Sequence, residues 1–103
     1  SNDICYILQC DQHPQIGYIG VTNNMQRRIE EHNSGKCEMT SGNTWQIMQM
    51  YSGFTSRNQA LQFESAVSRH GNGREKGPLE DLVYSLESTL CVPYYKDITR
   101  TTN

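Results

Sequence analysis

The sequence predicts a small α+β domain, a three-stranded antiparallel sheet flanked by helices in the order β-β-α-β-α-α. Three observations predict it. Two segments rich in strand formers, Asp3–Cys10 and Gln15–Val21, flank the turn residues Asp11-Gln-His-Pro14, which is the pattern of a hairpin. A third such segment, Trp45–Ser52, ends at Gly53. The remaining apolar residues recur with a helical period behind recognisable start signals.

In the first strand Ile4, Tyr6 and Leu8 share one face, while Cys5 and Ile7 share the other. The hairpin can bring Tyr6 and Tyr18 onto neighbouring strands. Asn23 with Gln26 reads as a capping box for the first helix, and Gly35 as its stop. Met25 and Ile29 form the buried stripe of that helix. A polar loop holding Lys36 runs from Ser34 to Thr44. Ser56 with Gln59 opens the second helix, which runs to about His70 with Ala60, Phe63 and Val67 as its seam and Leu61 beside them. Gly71-Asn-Gly73 ends it. Pro78 suits the first turn of a third helix, where Glu80 and Asp81 favour the N-terminus, and Leu79, Leu82, Val83, Leu86 and Leu90 keep its period. Met25, Met48 and Met50 read as core filling.

A chain of 103 residues is one small domain, assigned here to residues 1–95, with 96–103 as a polar, loose C-terminal tail. No apolar run is long enough to span a bilayer and no leader pattern is visible, so a soluble, intracellular protein is expected, nuclear or cytoplasmic according to its source. Cys5, Cys10, Cys37 and Cys91 lack Cys-x-x-Cys spacing, which argues against zinc; all four are expected reduced, with Cys5 and Cys10 packed in or beside a strand. The formal net charge of −2 excludes a broadly basic nucleic-acid binder. Contact with DNA would need locally gathered basic residues or a partner that supplies affinity.

The chemistry-bearing stretch is Gly17 to Asn33. Its strand ends in Gly20, and the following helix carries Arg28 and His32 four residues apart, a spacing that puts a permanent cation and a titratable imidazole on one face. Tyr18 on the strand can reach the same place. Such a set suits a reaction in which an oxyanion or phosphate is held while a proton moves. His13 and His70 read as a turn and a helix-end residue without a role.

The chain resembles the GIY-YIG nuclease superfamily, with the nearest likeness to the catalytic domain of Slx1-type structure-selective endonucleases. Tyr18-Ile19-Gly20 stands as the complete second motif; Ile4-Cys5-Tyr6 keeps the tyrosine of the first but lacks its opening glycine. Arg28 and His32 match the Arg and His that follow on a helix. The Slx1-like character comes from Thr40-Ser41-Gly42 before Trp45, from Gly53-Phe54, and from Ala60-Leu61-Gln62-Phe63-Glu64, with a weaker echo at Cys91-Val92-Pro93-Tyr94. The RING-like zinc domain of Slx1 proteins has no counterpart in this sequence, and the late asparagine of other members is not assigned.

The resemblance implies a GIY-YIG-like fold and metal-dependent hydrolysis of phosphodiesters in DNA, structure-selective on branched or flapped substrates. It implies Mg²⁺, with Mn²⁺ able to substitute, bound by Glu64, and a scaffold protein as a partner. Arg28 would clamp the phosphate. Tyr6 would be the general base, with its phenol pKa lowered by Arg28 and the metal. Tyr18 would hold water or phosphate by hydrogen bonding, and His32 would relay a proton or orient Tyr6. Arg27, Lys36 and Arg57 are the expected DNA-backbone contacts, with Arg69 and Arg74 as further candidates. The alternatives are a non-catalytic nucleic-acid or protein binding module of the same fold, favoured by the acidic balance, and a sequence-specific homing or restriction nuclease, for which 103 residues leave little room.

Overall fold

A computed structural model describes residues 1–71 and 75–101. The strands are β1 (Ile4–Cys10), β2 (Ile16–Thr22), β3 (Trp45–Ser52), β4 (Lys76–Pro78) and β5 (Thr99–Thr101); the helices are α1 (Met25–Asn33), α2 (Arg57–Gly71) and α3 (Leu79–Leu90). All pairings are antiparallel, in the order β4-β2-β1-β3-β5.

The sheet therefore has five strands where three were expected. The three expected strands form its centre and the two additions form its edges. Lys76-Gly-Pro78 carries residues depleted in strands, but on an edge the missing N–H of Pro78 costs no ladder bond. Pro78 consequently ends β4 and caps α3, which begins at Leu79, one residue later than expected. The tail expected to be loose contributes β5, whose Thr99, Arg100 and Thr101 pair with Ser52, Tyr51 and Met50.

Alternation along β1 separates two cores. Cys5 and Ile7 join Ile19, Tyr51, Phe63, Val67 and Leu82 beneath α2 and α3. Tyr6 and Leu8 join Tyr18, Trp45 and Met50 on the opposite face, where Met25 and Ile29 of α1 pack. The sheet is thus sandwiched, with the fully buried polar residues His32 and Thr40 on the α1 side. The helix seams are as expected, but Leu61 and Met48 are exposed rather than core filling.

Helix starts are legible to within a residue. The cap of α1 is Asn24, not Asn23: its side chain accepts from the Arg27 N–H at 3.1 Å. Gly35 follows α1 with φ +83°, the left-handed position that suits glycine after a helix. At α2, Ser56 accepts from the Gln59 N–H at 3.1 Å, while the Gln59 side chain reaches back to the Thr55 N–H at 2.7 Å, one residue beyond a regular box. The expected stop at Gly71-Asn-Gly73 falls mostly outside the described residues. All four cysteines are free, with Cys5 and Cys10 buried.

Candidate active site

Register builds the site first. Tyr6 of β1 lies opposite Gly20 of β2, and its ring crosses the space a side chain at Gly20 would occupy: a Cβ there would sit 2.5 Å from Tyr6 Cζ. The second-motif glycine is thus the floor on which the first-motif tyrosine rests. Ile4, where the first motif departs from glycine, is an ordinary strand residue paired with Thr22; non-glycine residues with positive φ are absent among those described, so the backbone there has no need of glycine.

The α1 spacing then brings its two groups to that hydroxyl. His32 Nε2 lies 2.8 Å from Tyr6 Oη, and Arg28 Nε donates to the same oxygen at 3.3 Å. Arg28 also donates to Glu31 Oε1 at 3.1 Å and to Cys37 Sγ at 3.8 Å. Tyr18 packs edge-on against His32 at 4.9 Å between ring centroids and against Trp45 at 6.4 Å. Tyr6, Tyr18, Arg28 and His32 thus form one cluster.

Its electrostatics differ from expectation at one point. Burial pushes the Tyr6 phenol up to about 12, with Arg28 opposing, so the expected lowering is not met. Burial also raises Tyr18, with Tyr6 and Cys37 adding to it. Burial and the Arg28 charge bring His32 down to about 4, so its imidazole is neutral at physiological pH. Burial works against the charge of Arg28, but its bonds to Tyr6 and Glu31 hold it above the ordinary value.

Glu64, on α2, makes no hydrogen bond with this cluster among the described residues, but its charge is felt at both Tyr6 and Cys5. Burial and the charge of nearby Glu75 raise its carboxyl to about 7. Glu75 holds β2 through its carbonyl, which accepts from the Ile19 N–H at 2.9 Å. A half-buried carboxylate beside a second one is where a divalent cation would relieve repulsion. Groups of three or more metal-capable His, Cys, Asp or Glu side chains are absent among the described residues, so a cation held at Glu64 would take most of its ligands from water.

Of the expected DNA contacts, Arg27 and Lys36 are exposed on α1 and the loop after it. Arg57 is engaged by Asp3 at 2.8 Å. Arg69 is exposed and borders a shallow pocket with Tyr94 and Tyr95, while Arg74 lies outside the described residues. Sequence reasoning assigned no site role to Cys37 and Glu75 and used Thr40 only as part of a motif. They reach α1 and β2 from irregular segments, where no periodic signal exists. A groove lined by Ile16, Leu79, Val83 and Tyr84 includes none of the cluster. No helix among the described residues is long and apolar enough to cross a membrane.

Comparison with known proteins agrees with this geometry. The profile of the GIY-YIG catalytic domain matches residues 2–76. The chain is 37% identical over 82 residues to the structure-specific endonuclease subunit slx1 of Talaromyces stipitatus, covering 74% of this chain and 21% of that protein. It is 34% identical over 86 residues to the structure-specific endonuclease subunit SLX1 of Vanderwaltozyma polyspora, covering 77% and 27%. It is also 37% identical over 74 residues to the uncharacterized protein L300 of Acanthamoeba polyphaga mimivirus, covering 67% and 44%. The chain spans less than half the length of each of these relatives. The matched segment contains every strand and helix that carries the cluster, and the chain belongs to the GIY-YIG catalytic-domain family.

Proposed function

We propose that this domain is a metal-dependent endonuclease that hydrolyses phosphodiester bonds in DNA, with a preference for branched or flapped structures. The observation that carries the chemistry is the Tyr6 hydroxyl, held at once by a cationic donor and a neutral imidazole. The preference for branched DNA is drawn from the names of two relatives, each a structure-specific endonuclease subunit. Those names also motivate a protein partner, which would supplement the affinity of a domain whose net charge is −2.

Arg28 has five N–H donors and commits three of them to Tyr6, Glu31 and Cys37, which leaves donors for a phosphate oxygen. Tyr6 would accept a proton from the attacking water while passing its own to His32 Nε2, which lies 2.8 Å away. Tyr18 holds the His32 ring edge-on and so keeps Nε2 aimed at Tyr6. Glu64 would hold a Mg²⁺ ion, which supplies Lewis-acid stabilisation of charge on the phosphate and leaving oxygens when bound. Arg27 and Lys36, both exposed, would contact the DNA backbone, whereas Arg57 must give up Asp3 to join them.

The test is cleavage of labelled 5′-flap, four-way-junction and duplex DNA with Mg²⁺ or Mn²⁺, comparing wild type with folded Glu64→Gln and Arg28→Ala. Cutting of branched DNA that both variants lose supports the reading. Binding without cutting in either metal replaces it with a binding module of the same fold.

A further inference from the structure

Thr40 ends the short 3₁₀ turn Glu38–Thr40 and is fully buried. Its hydroxyl lies 2.7 Å from His32 Nδ1 and 3.3 Å from the Cys37 carbonyl oxygen. A hydroxyl has one proton, and a carbonyl oxygen only accepts. Which way the 2.7 Å contact runs is decided by Tyr6: its buried hydroxyl has only His32 and Arg28 as partners among the described residues, and a guanidinium only donates, so His32 Nε2 is the one acceptor for the Tyr6 proton. The imidazole proton then sits on Nδ1 and is accepted by Thr40 Oγ1, whose own proton goes to the Cys37 carbonyl. The other ring nitrogen, Nε2, is left with its lone pair facing the Tyr6 hydroxyl at 2.8 Å. The Tyr6 oxygen already accepts from Arg28 Nε, and its proton then points to His32.

The donors thus run in one direction, from Arg28 through Tyr6 and His32 to Thr40 and the Cys37 carbonyl. The turn that anchors this chain is itself fixed: the Trp45 indole N–H donates to the Thr40 carbonyl at 3.0 Å, and the Thr40 N–H to the Cys37 carbonyl at 3.2 Å. We propose that Thr40 is a positioning residue that locks His32 in the Nδ1–H tautomer, so that Nε2 is the acceptor for the Tyr6 proton. The consequence for catalysis rests on the nuclease reading above; the tautomer does not.

Only the hydroxyl matters in this argument. Thr40→Ser keeps it, while Thr40→Val keeps the shape and removes both the acceptor for Nδ1–H and the donor to Cys37. With that acceptor gone, the favoured tautomer is the one whose Nε2–H donates to the Tyr6 oxygen, which reverses the relay.

The experiment is long-range ¹H–¹⁵N correlation of the histidine rings at about pH 7, where the imidazole is neutral. His32 is assigned by its loss in His32→Gln. Wild type and Thr40→Ser are expected as Nδ1–H, and Thr40→Val as predominantly Nε2–H. On the best-cut DNA, Thr40→Val should lose on the order of tenfold or more in kcat with KM nearly unchanged, and Thr40→Ser should restore it. Wild type in the Nε2–H form, which needs no variant to fold, overturns the inference. So does Thr40→Val that keeps Nδ1–H, or that switches tautomer without loss of kcat. Wild type that shows Nδ1–H and cuts no DNA overturns the nuclease reading and leaves the tautomer assignment standing.

Discussion

Gly20→Ala is the substitution that most directly tests how the two motifs depend on each other. The added Cβ would lie 2.5 Å from Tyr6 Cζ and 3.0 Å from Tyr6 Cε1, against an ordinary carbon contact of about 3.5–4.0 Å. The backbone at Gly20 is paired within β2, so the ring must give way by about 1 Å. Overpacking of this kind costs about 1–3 kcal/mol. The displacement also disturbs the bonds from Tyr6 to His32 and Arg28, whose net worth is about 1 kcal/mol or more each. Urea denaturation should therefore show about 2–4 kcal/mol lost, within the stability of a typical domain, so the variant stays folded in the cold. Single-turnover cleavage should fall on the order of 100-fold, because a misplacement of about 1 Å is enough to cost that much. Tyr6→Phe removes the atom nearest the new Cβ, so Gly20→Ala should cost about 1 kcal/mol less on that background. Unchanged stability and rate in Gly20→Ala, or strictly additive costs in the double variant, would refute the reasoning.

Two charge predictions follow from the same site. The Glu64 carboxyl is raised from 4.5 to about 7, so its contribution is fully present below 4.5 and is lost as pH rises through 7. Glu64→Gln should therefore stabilise the metal-free protein at pH ~8 by about 1–3 kcal/mol, after discounting for its partial exposure, with little effect near pH ~4.5. Denaturation at both pH values checks this, and a destabilised variant at the higher pH sinks it. The Glu64→Gln background removes the opposing Glu64 titration from the His32 window. Its value, lowered from 6.5 to about 4, predicts stability that is present above 6.5 and lost as pH falls toward 4, by about 2–3 kcal/mol. A flat profile across that window would contradict a neutral buried imidazole. Arg28→Lys keeps the charge but cannot donate to Tyr6, Glu31 and Cys37 together, so cleavage should fall on the order of 100-fold while the fold persists. Near-wild-type activity would show that charge alone suffices.

What the sequence disclosed followed from periodicity. Alternation in β1 separated Tyr6 from Cys5, and the spacing in α1 put Arg28 and His32 on one face; both placements hold. The edge strands were hidden because Lys76-Gly-Pro78 has poor strand composition and Thr99-Arg100-Thr101 is polar on both faces, so neither shows alternation. Thr40 and Cys37 reach the site through a turn whose shape depends on Trp45, five residues further on. The direction of the Tyr6 shift was also out of reach. It depends on how far burial outweighs one guanidinium, and only the packed structure supplies that balance.

That balance also decides how the proton can move. A phenol held up to about 12 and an imidazole held down to about 4 by burial leave resting transfer strongly uphill. Tyr6 is therefore suited to passing a proton on as it receives one from water, without a standing phenolate. The charge that develops then falls on His32, which Arg28 suppresses and Glu31 favours. A phosphate bound to Arg28 offsets part of the guanidinium charge and so removes part of that suppression. On the proposed reading the clamp and the base would be coupled: the arginine proposed to hold the substrate would keep the imidazole a weak proton acceptor until the substrate arrives. The Nε–H of Arg28 is spent on Tyr6 and two further donors on Glu31 and Cys37, which leaves two of its five uncommitted among the described residues, a division that the planar guanidinium allows and a lysine ammonium does not.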